Sequence, residues 1–145
     1  MFNVFNRFFL FTVITVLFAS SISFTQDGNI VYIQTFEFQM PDNGSWSEFD
    51  SLMTIVTENV TAKYDKVLSQ RVVRHQWGSD SRQLIVIREF AKIEDLVLDD
   101  TADGDLFRAH WKTPEERKAF SQAYSKYWRG KHSDEIYQEF KGGRK

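Results

Sequence analysis

The chain has no cysteine in its 145 residues. That absence removes disulfides, thiolate metal sites, a thiol-anchored lipid and cysteine nucleophiles together, so the fold must be held by its core. An excess of positive charge is missing too: 18 Lys+Arg stand against 20 Asp+Glu, a formal net charge of -2. Such a mildly acidic surface offers no electrostatic reason to bind nucleic acid or an anionic membrane. There is no Gly-rich phosphate loop, nucleophile elbow or defensible Ser/His/Asp order. No repeat or linker divides the sequence, whose length suits one domain with a real core.

Charge is scarcest at the start. Residues 1–25 hold Arg7 alone, then an apolar run over 8–18, then Ala19, Ser20 and Ser21. A basic start, a short apolar centre and a small-residue exit predict a secretory signal, and the run is short of the ~20 residues that a membrane span needs. The expected product is an exported protein, periplasmic or secreted, with no stable membrane insertion after cleavage and one domain over 26–145. Cleavage leaves 17 Lys+Arg against 20 Asp+Glu, a net charge near -3. Asn43-Gly-Ser and Asn59-Val-Thr match the N-glycosylation pattern, which matters only in a eukaryotic secretory pathway.

Residues 67–90 organise the rest. VLSQRVVRHQW, then GSDS, then RQLIVIREF read as two Val/Ile-rich strands around a four-residue hairpin loop. With Trp77 facing Arg82, the register sets His75 beside Leu84, Val73 beside Val86, and Arg71 beside Arg88. The second strand is apolar on both faces, which predicts an interior strand covered on both sides. Residues 29–40 (NIVYIQTFEFQM) form another two-faced strand, ended by the turn signal Pro41-Asp-Asn-Gly44.

Ser45-Trp-Ser-Glu48 reads as a capping box, and Trp46, Phe49, Met53, Val56, Val60 and Tyr64 draw an apolar helical stripe that packs on a sheet. Residues 91–99 allow a short helix, and Asp99, Asp100, Asp103, Gly104 and Asp105 then suggest a solvated acidic loop. Their spacing does not fit an EF-hand. Thr113-Pro-Glu-Glu116 opens a second helix over 114–128, with Gly130 as its left-handed stop. Residues 131–140 complete the set as a last strand.

The order strand, helix, strand, strand, helix, strand is the ferredoxin-like βαββαβ arrangement, an α+β class with a four-stranded antiparallel sheet and helices on one face. Together with the two-faced strands, and over residues 29–140, it resembles the dimeric α/β-barrel superfamily, which includes antibiotic-biosynthesis-monooxygenase-type and stress-responsive barrel proteins. The resemblance implies a homodimer whose sheets meet face to face. It carries no catalytic signature, so no functional residue follows from it.

The candidate ligand-binding residues come from the chain itself. Arg71 and Arg88 face each other in the expected register, on one side with His75, Trp77 and Phe90, and like charges directly opposed are unfavourable. Three arrangements relieve them: wet strand ends, Glu37 between them, or the carboxylate of a bound ligand. His132 and Asp134 lie two residues apart on one strand face, as a metal-ligand pair or as a histidine oriented by its neighbour. No two of His75, His110 and His132 have helical ligand spacing, so neither a metal nor a cofactor is expected. Two functions fit: a small-ligand binder or cofactor-independent oxygenase-like protein with a cavity on the open sheet face, suiting a small aromatic or acidic organic molecule, or a non-catalytic dimer whose sheet face is only an interface.

Overall fold

The first strand, β1 (Ile30–Phe38), carries aromatics on one face and Val31, Ile33, Thr35 and Glu37 on the other, as its alternating pattern requires. The structure is a computed structural model that describes residues 28–140, 142 and 143. The expected signal segment lies outside the described residues. Helix α1 (Trp46–Asn59) follows, then a 3-10 turn (Thr61–Lys63), β2 (Val67–Arg74), β3 (Gln83–Phe90), α2 (Ile93–Val97), α3 (Asp99–His110), α4 (Pro114–Ser125) and β4 (Trp128–Gln138). The strands make one antiparallel sheet in the order β2-β3-β1-β4. This is the expected ferredoxin-like α+β arrangement, and both two-faced strands, β1 and β3, are interior. Among the described residues, no helix is long and apolar enough to cross a membrane.

The core lies between one sheet face and the helices. Phe38, Phe49, Leu84 and Tyr127 are buried together, with Leu52, Met53, Val72, Tyr124 and Trp128 packed around them. Phe49 meets Phe38 edge-on at 4.9 Å and Tyr127 at 5.1 Å between ring centroids. Burying one such apolar side chain contributes about 1.5–3 kcal/mol. The same face of the sheet carries Tyr32, Gln34 and Phe36 of β1 opposite Arg88, Val86 and Leu84 of β3.

Several expectations need correction. The hairpin register is displaced by one residue: Arg74 faces Leu84, Val72 faces Val86, Arg71 faces Ile87, and Gln70 faces Arg88. The loop is longer than four residues, because β2 ends at Arg74 and the Asp80 carboxylate accepts the amide of Arg82 at 3.0 Å, while Gly78 turns the chain at φ +133°. Since side chains alternate faces, one slipped residue moves Arg71 and Val73 away from Val86 and Arg88 to the opposite side of the sheet. Trp77 sits in the loop at 94% exposure.

The cap of α1 is half a box. Ser45 accepts the amide of Glu48 at 3.1 Å, but Glu48 turns away to Lys126 and to the Tyr127 hydroxyl, and Tyr127 takes the Ser45 amide in its place. The box at Thr113 and Glu116 is complete. The acidic segment is helical: Asp99 begins α3 and is buried, where a solvated loop was expected. Finally, α4 stops at Ser125, and Trp128 already belongs to β4. Gly130, at φ +71°, sits inside β4 at the register shift opposite Phe36 and Phe38. It serves a bulge that takes up extra residues, where a helix stop was expected.

Candidate functional site

A half-open hollow of ≈ 220 Å³ lies between the sheet and the helices. It is on the helix-covered face, whereas the sequence reading had set it on the open one. β1 supplies Gln34 and Phe36 to its wall, and β3 supplies Val86 and Arg88. Met53 and Val56 come from α1, Gln70 from β2, Tyr124 from α4 and Trp128 from the start of β4, with Thr61 from the 3-10 turn. Phe36 and Tyr124 hold Trp128 between them, at 5.1 and 5.2 Å between ring centroids.

The polar groups on this wall are tied down in two networks. Arg88 donates from Nε to Gln70 Oε1 at 3.1 Å, and Gln70 in turn donates to Thr57 Oγ1 at 3.2 Å. Arg88 Nη1 pairs with both Asp99 and Asp103, the latter at 2.9 Å. Burial opposes the charge on Arg88, but the two carboxylates outweigh it and hold the guanidinium above its ordinary value. Burial also pushes the Asp99 carboxyl up to about 6; Arg88 counters that shift, and Asp103 adds to it. The cluster therefore carries one cation against two acids.

On the other side, Asp134 Oδ1 accepts from the Tyr32 hydroxyl at 2.8 Å and from Gln34 Nε2 at 3.0 Å, while Asp134 Oδ2 lies 3.1 Å from His132 Nε2. Partial burial pushes Asp134 up, yet the Gln34 and Tyr32 hydrogen bonds and His132 outweigh it and keep this carboxylate below its usual range. Burial, then the bond to Asp134, raises Tyr32. Burial raises Tyr124, whose hydroxyl meets Met53 Sδ at 3.2 Å.

Two wall residues keep unspent polar atoms. Trp128 Nε1 and Thr61 Oγ1 are buried and make no hydrogen bond among the described residues. A buried N–H or hydroxyl without a partner costs about 1–3 kcal/mol. Both residues line the hollow, alongside the polar side chains of Gln34, Gln70 and Arg88.

The sequence candidates divide accordingly. Arg88 lines the cavity. His132 and Asp134 flank it through Gln34 and through the stacking of His132 on Phe36 at 5.3 Å. Arg71 is exposed on the opposite face, and Glu37 binds Arg82 and Arg129. Thus neither Arg71 nor Glu37 meets Arg88. His75 lines a separate outer hollow with Trp46 and Arg74, and Phe90 is buried at the far end opposite Ile30. Among the described residues, no group of three or more His, Asp or Glu could hold a metal ion.

Sequence reasoning missed Gln34, Gln70, Thr61, Tyr124 and Trp128. Gln34 carried a signal, since it is the polar residue on a strand face otherwise made of Tyr32, Phe36 and Phe38. Gln70 required the correct register, and Trp128 was assigned to the preceding helix.

No protein-family model matches the sequence, and no curated protein matches it. Solved structures do resemble the fold. A candidate antibiotic biosynthesis monooxygenase from Caulobacter crescentus superposes with TM-score 0.50 at 16% identity, over 80% of this chain and 93% of that one. Another from Bordetella bronchiseptica gives TM-score 0.50 at 10% identity, over 78% and 98%. SnoaB, a cofactor-independent oxygenase from Streptomyces nogalater, gives TM-score 0.42 at 11% identity, over 79% and 95%. The chain has the ferredoxin-like fold of antibiotic-biosynthesis-monooxygenase-type proteins, and at these identities the likeness is one of fold.

Proposed function

We propose that this protein binds a small, uncharged aromatic molecule in the cavity between sheet and helices. The observation that carries this reading is the lining of the ≈ 220 Å³ hollow, where the rings of Phe36, Tyr124 and Trp128 converge with Met53, Val56 and Val86. That volume exceeds the ~150 Å³ cavity known to hold benzene, so one or two rings fit.

An acid fits less well than the sequence suggested, because Arg88 already faces two carboxylates. A carboxylate brought beside that cluster meets an excess of like charge. Calorimetry with 1-naphthol and 1-naphthoate at pH 8 tests this: naphthol binds at least about tenfold more tightly. Tighter binding of naphthoate would return Arg88 to the role of an anion receptor, and binding of neither would remove the ligand site.

Within that reading, the occurrence of this fold in candidate antibiotic biosynthesis monooxygenases favours oxygenase-like chemistry, as an analogy of fold. Without a cofactor, the electrons must come from the substrate: a CH2 activated by an adjoining ring and carbonyl becomes a C=O, dioxygen gives one atom to it, and the other leaves as water. The chain's contribution would be to pack the substrate's ring among Phe36, Tyr124, Trp128 and the aliphatic side chains of the wall. Protein-dependent oxygen uptake with 2-tetralone, a bicyclic ketone of that kind, supports an oxygenase; its absence leaves a binder.

The protein is also proposed to be an exported homodimer. Half-buried Val31, Ile33, Ile85 and Ile87 on the second sheet face support the dimer, since the helices whose contacts are described above pack on the first. If the cavity stays empty of every aromatic tried while the dimer persists, the non-catalytic interface reading holds. Export rests on residues 1–25, and the mass of the protein recovered outside the cytoplasm tests it.

A further inference from the structure

We infer that a ligand enters the inner cavity from a groove between α1 and β2, crossing Met53 and Gln70, and that these two side chains select what passes. The inference rests on the cavity being a ligand site and adds its route and its filter. The groove is an open space of ≈ 560 Å³, bounded by Trp46, Asp50, Thr54 and Glu58 of α1 and by Val72 and Arg74 of β2. Inner cavity and outer groove share two wall residues, Met53 and Gln70. The two spaces adjoin at those side chains.

Four of the other wall residues make poor doors. Phe36 and Val86 belong to interior strands with a hydrogen-bonded neighbour on each side. Trp128 is held by Phe36 and Tyr124, and Tyr124 stacks on Phe120 at 5.6 Å. Met53, in contrast, is an unbranched side chain with three rotatable bonds, and its polar contact is a thioether accepting from the Tyr124 hydroxyl, a weak bond. Gln70 stands on β2, the edge of the sheet, and is only partly buried.

Moving Gln70 has a defined chemical consequence. Its Oε1 is the acceptor for Arg88 Nε, and its Nε2 is a donor to Thr57. When the amide swings toward the groove, Thr57 can turn to water, but Arg88 Nε is left inside without an acceptor. An incoming carbonyl or hydroxyl oxygen supplies one. The door is thus easiest to hold open when the ligand carries an oxygen at its leading end, and an all-carbon molecule of equal size lacks that compensation. Asp50, Glu58 and Arg74 leave the outer groove suited to the polar substituents of a molecule too long for the inner cavity.

The test reads the door without any ligand. In the full chain, exchange of the Trp128 indole N–H with solvent is followed by NMR for the wild type, Met53→Ala, Gln70→Ala and Val86→Ala. Val86 lines the inner cavity but not the groove, so its truncation loosens the core without touching the threshold. Exchange is expected to rise about tenfold or more in Met53→Ala and Gln70→Ala, and by less than about threefold in Val86→Ala. Equal rates in the Met53 and Val86 variants, or no change in Met53→Ala, overturn the threshold. A second readout is the association rate of 1-naphthol, which should fall about tenfold in Met53→Phe and rise in Met53→Ala. Fast exchange in Met53→Ala with no naphthol binding to the wild type overturns the ligand site and keeps the route, whereas unaltered exchange with tight naphthol binding does the reverse.

Discussion

Arg71 and Arg88 stand one rung apart in the same strand pair, with Arg71 opposite Ile87, yet they occupy different worlds. Arg71 is exposed on the second face of the sheet within its own chain. The Arg88 side chain is 13% exposed on the helix-covered face and is held by Asp99, Asp103 and Gln70. The same residue type is decoration in one place and a fixed internal charge in the other. What decides is dielectric and access to water, and a register displacement of a single residue is what sorts them.

The sharpest way to break this comparison is to remove the buried member. Arg88→Met leaves Asp99 and Asp103 without their cation, and the expected loss is about 3–5 kcal/mol at neutral pH, read as the midpoint of urea unfolding. A variant as stable as the wild type would mean that the two carboxylates are already neutral. Next in size is the second face. If it joins two copies, Ile85→Lys sets a charge in an apolar interface, and the dimer dissociation constant should rise about a hundredfold, equivalent to about 3 kcal/mol, in sedimentation equilibrium. An unchanged dimer would place the interface elsewhere.

The third prediction concerns pH. Burial holds Asp99 at about 6 against an ordinary 3.8. Between those values the folded protein keeps a proton that the unfolded chain has released, so stability falls as pH rises through the window and levels off above about 6. Asp134, Glu48 and Glu116 are lowered and pull the opposite way, gaining stability above their unfolded values. A difference isolates Asp99: relative to Asp99→Asn, the wild type should lose at most about 3 kcal/mol between pH 4 and pH 6.5. A flat difference would sink the assignment. Smallest of all, Arg71→Met in the Ile85→Lys background, where no second copy covers that face, should change stability by no more than about 0.5 kcal/mol. A loss comparable to that of Arg88→Met would erase the contrast between the two faces.

These contrasts also show how far the residues alone could lead. Element order, the interior position of β1 and β3, and the Thr113–Glu116 cap were legible because each is a local pattern: alternation, a helical stripe, a threonine three residues before a glutamate. The register was not, because it depends on the length of a loop whose turn is set by the Asp80 carboxylate on the Arg82 amide. The site inherited that error. Arg88 was picked for its repulsion from Arg71, but its true partners come from an acidic stretch that read as solvated. Asp99 and Asp103 sit four residues apart on α3, the spacing that points two side chains the same way, and a helical reading of that stretch would have found them. The cavity was beyond a local reading, since its walls converge from α1, α4, the 3-10 turn and all four strands.

The pairing of β1 with β4 adds a consequence in time. Tyr32 and Asp134, joined by a hydrogen bond, are 102 residues apart in sequence, and Gln34 and Trp128 face one hollow from strands at opposite ends of the domain. Contacts of such long range form late and slowly. During synthesis the hairpin of β2 and β3 can close soon after it leaves the ribosome, while the hollow has no far wall until the last strand has emerged and docked beside the first. If the hollow takes a ligand as proposed, that recognition waits for β4 to dock beside β1, and a nascent chain cannot be rescued by the ligand before then.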